Sequence, residues 1–175
     1  WLCHLIVLNQ HGFNILGYFA SNPTFSADDM ASGVAKTYNN LRGAIVKINN
    51  EGKVIDATGI GNKIIDFKYT EDGYVILGQT SANITINSAN TVENTGDIIL
   101  TKTGNTDTFV VAYNNDGLVK WAQILGYAST YVEGATLGVT ENQEVVTGIK
   151  INKPIVINGS KTVNGQDISV SNAKG

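Results

Sequence analysis

Few side chains in this sequence are of types that do chemistry unaided. The two histidines, His4 and His11, stand seven residues apart, and Cys3 is the only cysteine. Imidazole and thiolate are the usual bases, nucleophiles and soft metal ligands. Here they do not converge: His4 falls in an apolar run that reads as a strand, and His11 falls in a turn. Cys3 and His4 are neighbours, and neighbours on a strand point to opposite faces. A structural role is expected for all three. Asp28-Asp29 is a paired carboxylate, and a solvated loop or helix N-terminus suits it better than an acid–base pair. Glu51-Gly52, Asp72-Gly73 and Asp116-Gly117 place acids in turns. Calcium loops of the EF-hand kind need several oxygens at alternate positions and a later Glu; these turns offer one or two each. Gly59-Ile60-Gly61 lacks the later glycine and the following helix of a dinucleotide site. The expectation is a chain with no catalytic residue, metal or cofactor.

Composition narrows the partners. Net charge is −3, and the twelve basic residues include a single arginine, Arg42, with no basic cluster. Nucleic-acid binding therefore has no electrostatic footprint, and a bidentate phosphate clamp is disfavoured. No apolar run approaches the roughly 20 residues of a spanning helix, so membrane insertion is not expected. Charged residues make up only 15%, against about 25% in ordinary domains. Sparse charge with abundant Asn, Thr and Gly suits a strand-and-turn protein.

The elements that would position any site come in repeats. Ala44–Gly61 (AIVKINNEGKVIDATGIG) and Phe109–Gly126 (FVVAYNNDGLVKWAQILG) share 7 of 18 positions at an offset of 65. Each is a pair of apolar runs around an Asn-Asn-acid-Gly turn, a hairpin signature. Thr70–Gly78 (TEDGYVILG) matches Thr140–Gly148 (TENQEVVTG), and Asn9–Gly17 (NQHGFNILG) is a further copy. On that alignment the apolar start, WLCHLIVL, is a strand rather than the remnant of a targeting segment. The order is a first hairpin, a long connection and a second hairpin, twice over, then a first hairpin and connection alone. Within the first connection, Ala20–Arg42 contains a stretch that could form a short helical turn. The strands are apolar on both faces, as between stacked sheets. The fold expected is all-β, with four-stranded antiparallel blades of the β-propeller type: one over about 3–61, one over 62–126 and a partial one over 131–175. The alternative is a β-solenoid, which the hairpin turns disfavour.

The pattern DTFVVAYNNDGLVKWAQILG, followed by ATLGVTENQEVVTG, resembles the bacterial beta-propeller repeat family (SBBP-like repeats). Asp107, Phe109, Val110, Ala112, Tyr113, Asn114, Asp116, Gly117, Trp121, Ala122 and Gly126 match the first half of that family's unit. Val139, Thr140, Val146, Thr147 and Gly148 match the second. The chain departs from the pattern at Gln143, where the family has Gly, and at Asp56, where it has Trp. The loop before the second half is reduced to STYVEG.

The resemblance implies a propeller in a secreted or surface-attached bacterial protein, and no catalytic activity. Known propellers close with about 4–8 blades. Two and a half blades are thus expected to be part of a longer propeller or to complete themselves by homo-oligomerising. The expected role is non-enzymatic binding or scaffolding. A lectin-like propeller is one alternative, with exposed aromatics stacking on a glycan. Tyr18, Phe25, Tyr38, Tyr127 and Tyr131 fall at strand ends or in connections, and Tyr127, Tyr131 and Glu133 are the ligand-binding candidates. Blade packing competes for the same aromatics and is the role expected of Trp121. A second alternative is part of a propeller hydrolase or lyase, for which Asp66 and Glu133 are the candidate carboxylates. Asn83-Ile84-Thr85 and Asn158-Gly159-Ser160 are glycosylation sequons that arise readily by chance in such a composition.

The turn assignment has a direct check. A β-branched residue in the left-handed region costs about 1–2 kcal/mol, so Gly117→Val should lose at least that much in denaturant unfolding. An unchanged midpoint would show that the turn is misassigned.

Overall fold

The computed structural model describes residues 2–9, 12–19, 22–39, 43–59, 63–127, 131–157, 166 and 168–170. The chain is all-β, and its ladders are all antiparallel among the described residues. It divides into two compact units, Trp1–Phe67 and Lys68–Gly175.

In the first unit, β1 (Leu2–Asn9) and β2 (Gly12–Tyr18) form a hairpin. The chain then leaves the sheet through two short paired strands, β3 (Thr24–Phe25) and β4 (Lys36–Thr37). It returns as β5 (Gly43–Ile48), which pairs with β2, and β6 (Val54–Gly59). The sheet order is β1-β2-β5-β6. Its inner strands carry the core: Ala44, Ile45 and Val46 are buried. Val46, Val54 and Ala57 cluster with Phe19, Phe25 and Met30 from the connection.

A second sheet has the corresponding order. It comprises β7 (Lys63–Thr70), β8 (Gly73–Thr80), β11 (Asp107–Asn114) and β12 (Val119–Leu125), arranged β12-β11-β8-β7. Its connection holds the paired strands β9 (Ile84–Ile86) and β10 (Ile98–Leu100). Phe109, Val111, Ile76, Leu77 and Val75 are almost wholly buried. Full burial of such a side chain is worth roughly 1.5–3 kcal/mol, so these two central strands hold the unit together. A third hairpin, β13 (Val132–Val139) with β14 (Val145–Ile151), is followed by the paired β15 (Ile155–Ile157) and β16 (Ile168–Val170).

Ala20–Arg42 makes no helix among its described residues. Ser26–Met30 is a single turn, with the Asp29 and Met30 amides both donating to the Ser26 carbonyl. Ser26 and Asp29 cap its start: the Ser26 amide donates to Asp29 Oδ2 at 3.1 Å, and the Asp29 amide to Ser26 Oγ at 3.3 Å. This reciprocal pattern satisfies free amides at a helix start. The Met30–Ala31 backbone is then captured by β6, through the Ala31 amide donating to the Val54 carbonyl.

The hairpin turns explain their sequence. Between β5 and β6, the Gly52 amide closes onto the Asn49 carbonyl at 3.0 Å with Gly52 at φ +81°. Between β11 and β12, Gly117 does the same onto Asn114 at 3.1 Å and φ +86°. The first Asn matters as much as the Gly. Asn49 Oδ1 accepts the amides of Glu51 and Lys53, and Asn114 Oδ1 those of Asp116 and Leu118, all at 2.9–3.0 Å. A side chain thus takes up amides that the turn frees from the ladder. Gly73 has another reason to be glycine: a Cβ there would overlap the Tyr113 carbonyl of the adjacent strand.

These two kinds of glycine separate experimentally. Around Gly52 a Cβ would meet nothing within 4 Å, so Gly52→Ala should cost only the backbone strain, roughly 1 kcal/mol. Gly73→Ala must displace a ladder strand and should cost about 3 kcal/mol. Equal losses for the two variants in urea unfolding would contradict this placement.

Candidate functional site

The β13–β14 hairpin lies on one face of the second sheet. Thr108 Oγ1 donates to the Val132 carbonyl at 2.7 Å, and the Val132 amide donates to the Thr106 carbonyl at 2.9 Å. Further along, the face includes Leu77, whose side chain approaches Gly134 so closely that a Cβ there would sit about 3.0 Å from it. Toward the turn end a cleft of about 790 Å³ lies between the hairpin and the sheet, with Val75, Ala112, Trp121 and Val145 among its apolar lining and Glu71, Asp72, Asn115, Lys120 and Gln143 among its polar lining.

Register explains why Trp121 stands here. Ala112 pairs with both Val75 and Trp121, which puts all three in one cross-strand row. Tyr113 pairs with Val119, so Lys120 is an extra residue in β12, a β-bulge. The bulge breaks the two-residue alternation. Val119 turns inward and is buried, while Trp121 turns to the other face and stays 38% exposed. The expectation that Trp121 packs within a blade is therefore corrected: simple alternation would have put Val119 and Trp121 on one side. The row opposite holds Tyr74 and Tyr113, stacked with ring centroids 4.8 Å apart and 15° between planes. Burial pushes the Tyr113 phenol well above its ordinary pKa.

One end of the cleft is closed by Gln143. The β13–β14 turn is built like those after Asn49 and Asn114: the Gln143 amide donates to the Thr140 carbonyl at 3.0 Å, and Thr140 Oγ1 accepts the Glu144 amide. Gln143 occupies the glycine position at φ 63°, a left-handed conformation that side chains rarely adopt. Its side chain offsets the strain. Gln143 Oε1 accepts the Glu71 amide at 2.8 Å, tying the β13–β14 turn to the β7–β8 turn. Across the cleft Lys120 pairs with Asp72 and holds its carboxyl below the usual range. Both groups are substantially exposed, so the pair contributes little to stability.

The first unit uses the corresponding position differently. Sixty-five residues before Trp121 stands Asp56, again next to a bulge residue, Ile55. Asp56 Oδ1 accepts from Tyr38 Oη at 2.7 Å and from Lys36 Nζ at 3.0 Å. Lys36 also sits 4.5 Å from the Tyr38 ring centre. Burial alone would push the Asp56 carboxyl up. The hydrogen bonds from Tyr38, Lys36 and the Ala57 amide outweigh it and hold the carboxyl below its ordinary value. This position is occupied by a half-exposed polar cluster, not an aromatic.

The other candidates are distributed as follows. Tyr127 and Tyr131 are exposed and Glu133 is half-buried, paired across the hairpin with Lys150. They follow the far end of β12 and begin β13, and none of the three lines the cleft. Asp66 lies in β7, where its Oδ1 accepts the Phe67 amide at 2.8 Å. Phe25 is buried against Phe19 and Tyr38 in edge-on contacts. Asp29 is engaged with Ser26, whose hydrogen bonds lower its pKa, while Asp28 makes no such bond. Cys3 and His4 lie in β1, and Tyr18 ends β2. Asn83 is exposed, and its Oδ1 accepts the Lys102 amide. His11, Ile60, Gly61 and the second sequon fall outside the described residues. Among the described residues, no three His, Cys, Asp or Glu side chains group as a metal site. No helix of the described residues is long and apolar enough to cross a membrane. Compared with known protein families, curated proteins and solved structures, the chain matches none.

The Asp56 cluster yields a pH dependence. Its folded-state pKa lies below the ordinary 3.8, so it stabilises the fold above that pH and the contribution is lost as pH falls through the folded value. Asp56→Asn should flatten the acid limb of the stability curve below about pH 4, with little slope change at neutral pH. An acid limb identical to that of the parent chain in denaturant titrations would remove the cluster from the account.

Proposed function

We propose that this chain is a non-enzymatic binding or scaffolding module made of propeller-type blades, belonging to a secreted or surface-attached bacterial protein. The observation that carries the proposal is the hairpin stacked on the second sheet. A four-stranded antiparallel meander whose face is covered by the first two strands of the next unit is the local arrangement of neighbouring blades. The two four-stranded sheets share one strand order, each with its connection between the second and third strands. Both also have a bulge after the second hairpin turn, clasped by a parallel bridge from the connection, Met30 to Val54 and Thr91 to Val119. Equivalent irregularities at equivalent places point to repeated units rather than to unrelated sheets.

The module's partners are then further blades, supplied by the same longer chain or by another copy. Blade faces are apolar and bury against one another, so an incomplete set leaves surface that favours association. In light scattering at micromolar concentration the chain should form a discrete oligomer, with ring-shaped particles in electron micrographs. A folded monomer at all concentrations would count against completion by its own copies. A longer natural chain whose added segments fail to stack as sheets would sink the propeller reading.

A further inference from the structure

We infer that the cleft between the second sheet and the β13–β14 hairpin is a ligand site and that its ligand is a neutral oligosaccharide. The inference deepens, and rests on, the binding-module proposal. Its volume, about 790 Å³, falls in the range of small-ligand pockets. Of its apolar strip only Trp121 is exposed; Val75 and Ala112 beside it are buried. An indole held on a strand presents a flat apolar surface with one N–H donor. That surface suits the C–H face of a pyranose ring.

The polar groups around the strip fit hydroxyls. Sugar hydroxyls donate and accept at once, so a site for them needs both kinds of partner. Asn115 supplies both, and the Gln143 amide nitrogen is a donor, since only its oxygen is used by Glu71. Glu71 and Asp72 are acceptors, and Lys120 is a donor already oriented by Asp72. Two carboxylates against one ammonium leave the cleft slightly negative. Phosphorylated, sulfated or sialylated ligands would therefore be repelled. The cleft is also pre-organised. Trp121 is placed by a bulge within a ladder, and Gln143 is locked in a turn, so little ordering is needed on binding.

The contrast with the first unit supports the assignment. There the corresponding side chain, Asp56, is engaged by Tyr38 and Lys36. Only the second unit leaves this position to an exposed aromatic, so the prediction is of a site in this unit and not one per unit.

The test is titration of the intact chain with maltotetraose, cellotetraose, laminaritetraose, mannotetraose and chitotetraose, followed by calorimetry and tryptophan fluorescence. At least one should bind saturably and shift the emission. Trp121→Ala should weaken that binding by about tenfold or more, with Trp121→Phe retaining part of it and the thermal melt preserved in both. Asn115→Ala should weaken binding without altering the melt, while Tyr127→Ala and Tyr131→Ala should leave it unchanged. The inference is overturned by no binding across the panel or by binding that survives Trp121→Ala. Absence of binding would leave the module proposal standing on its scattering test. Cleavage of a bound oligosaccharide to shorter products would support the sugar assignment and overturn the non-enzymatic reading, so the two failures are distinguishable.

Discussion

Strand register, set at the hairpin turns, is the constraint on which this structure depends. Every side chain in a two-sided sheet belongs to one face or the other, and a slip of one residue exchanges the faces. Here register is pinned at the turn of each second hairpin. An asparagine oxygen holds two amides and a glycine closes the turn. A bulge two residues into the outgoing strand then rotates the rest of that strand. Asp107 secures the opposite end of β11: its buried carboxylate accepts the Thr103 and Gly104 amides at 2.7 and 2.8 Å. It also lies so close to Gly126 that a Cβ there would collide with it. The place of Asp107 is thus what requires glycine at position 126.

From register follows the division of labour between faces. The rows Tyr74–Tyr113–Val119 and Val75–Ala112–Trp121 lie on opposite faces. Both rows are apolar in sequence, and their members on β8 and β11 are buried. They differ on β12, where Val119 is buried and Trp121 stays exposed beside the cleft. The hairpin is tied to the sheet next to that cleft, where Gln143 accepts the Glu71 amide in spite of its left-handed backbone. A strained residue beside an open surface is the usual sign that geometry serves something besides stability.

Much of the architecture was legible because it rests on local chemistry. Asn-Asn-acid-Gly between apolar runs specifies a hairpin whatever surrounds it, since the glycine conformation and the asparagine bonds are made within five residues. The alignment of Thr70–Gly78 with Thr140–Gly148 likewise located β7–β8 and β13–β14. The departures from the repeat were visible too: Gln143 in place of Gly, and Trp121 against Asp56. What they meant was not. Gln143 finds its partner 72 residues away, and no local pattern signals that. The short helical turn considered for the first connection stopped after one turn because β6 captured its backbone, again a distant partner.

The sequence by itself thus determined the elements: antiparallel hairpins, their turns, their order and the apolar character of their strands. Tertiary structure alone decided which aromatic is a packing residue and which is a surface. A bulge leaves no reliable mark in an apolar run, because Val, Lys and Trp are all acceptable in a strand; the extra residue appears only when a partner strand counts it. For that reason Trp121 reads as core in one dimension and borders a cleft in three. Tyr127, Tyr131 and Glu133, the ligand-binding candidates read from the sequence, stand at the other end of the hairpin. Their exposure, like the openness of the cleft, follows from where neighbouring strands stop covering the sheet.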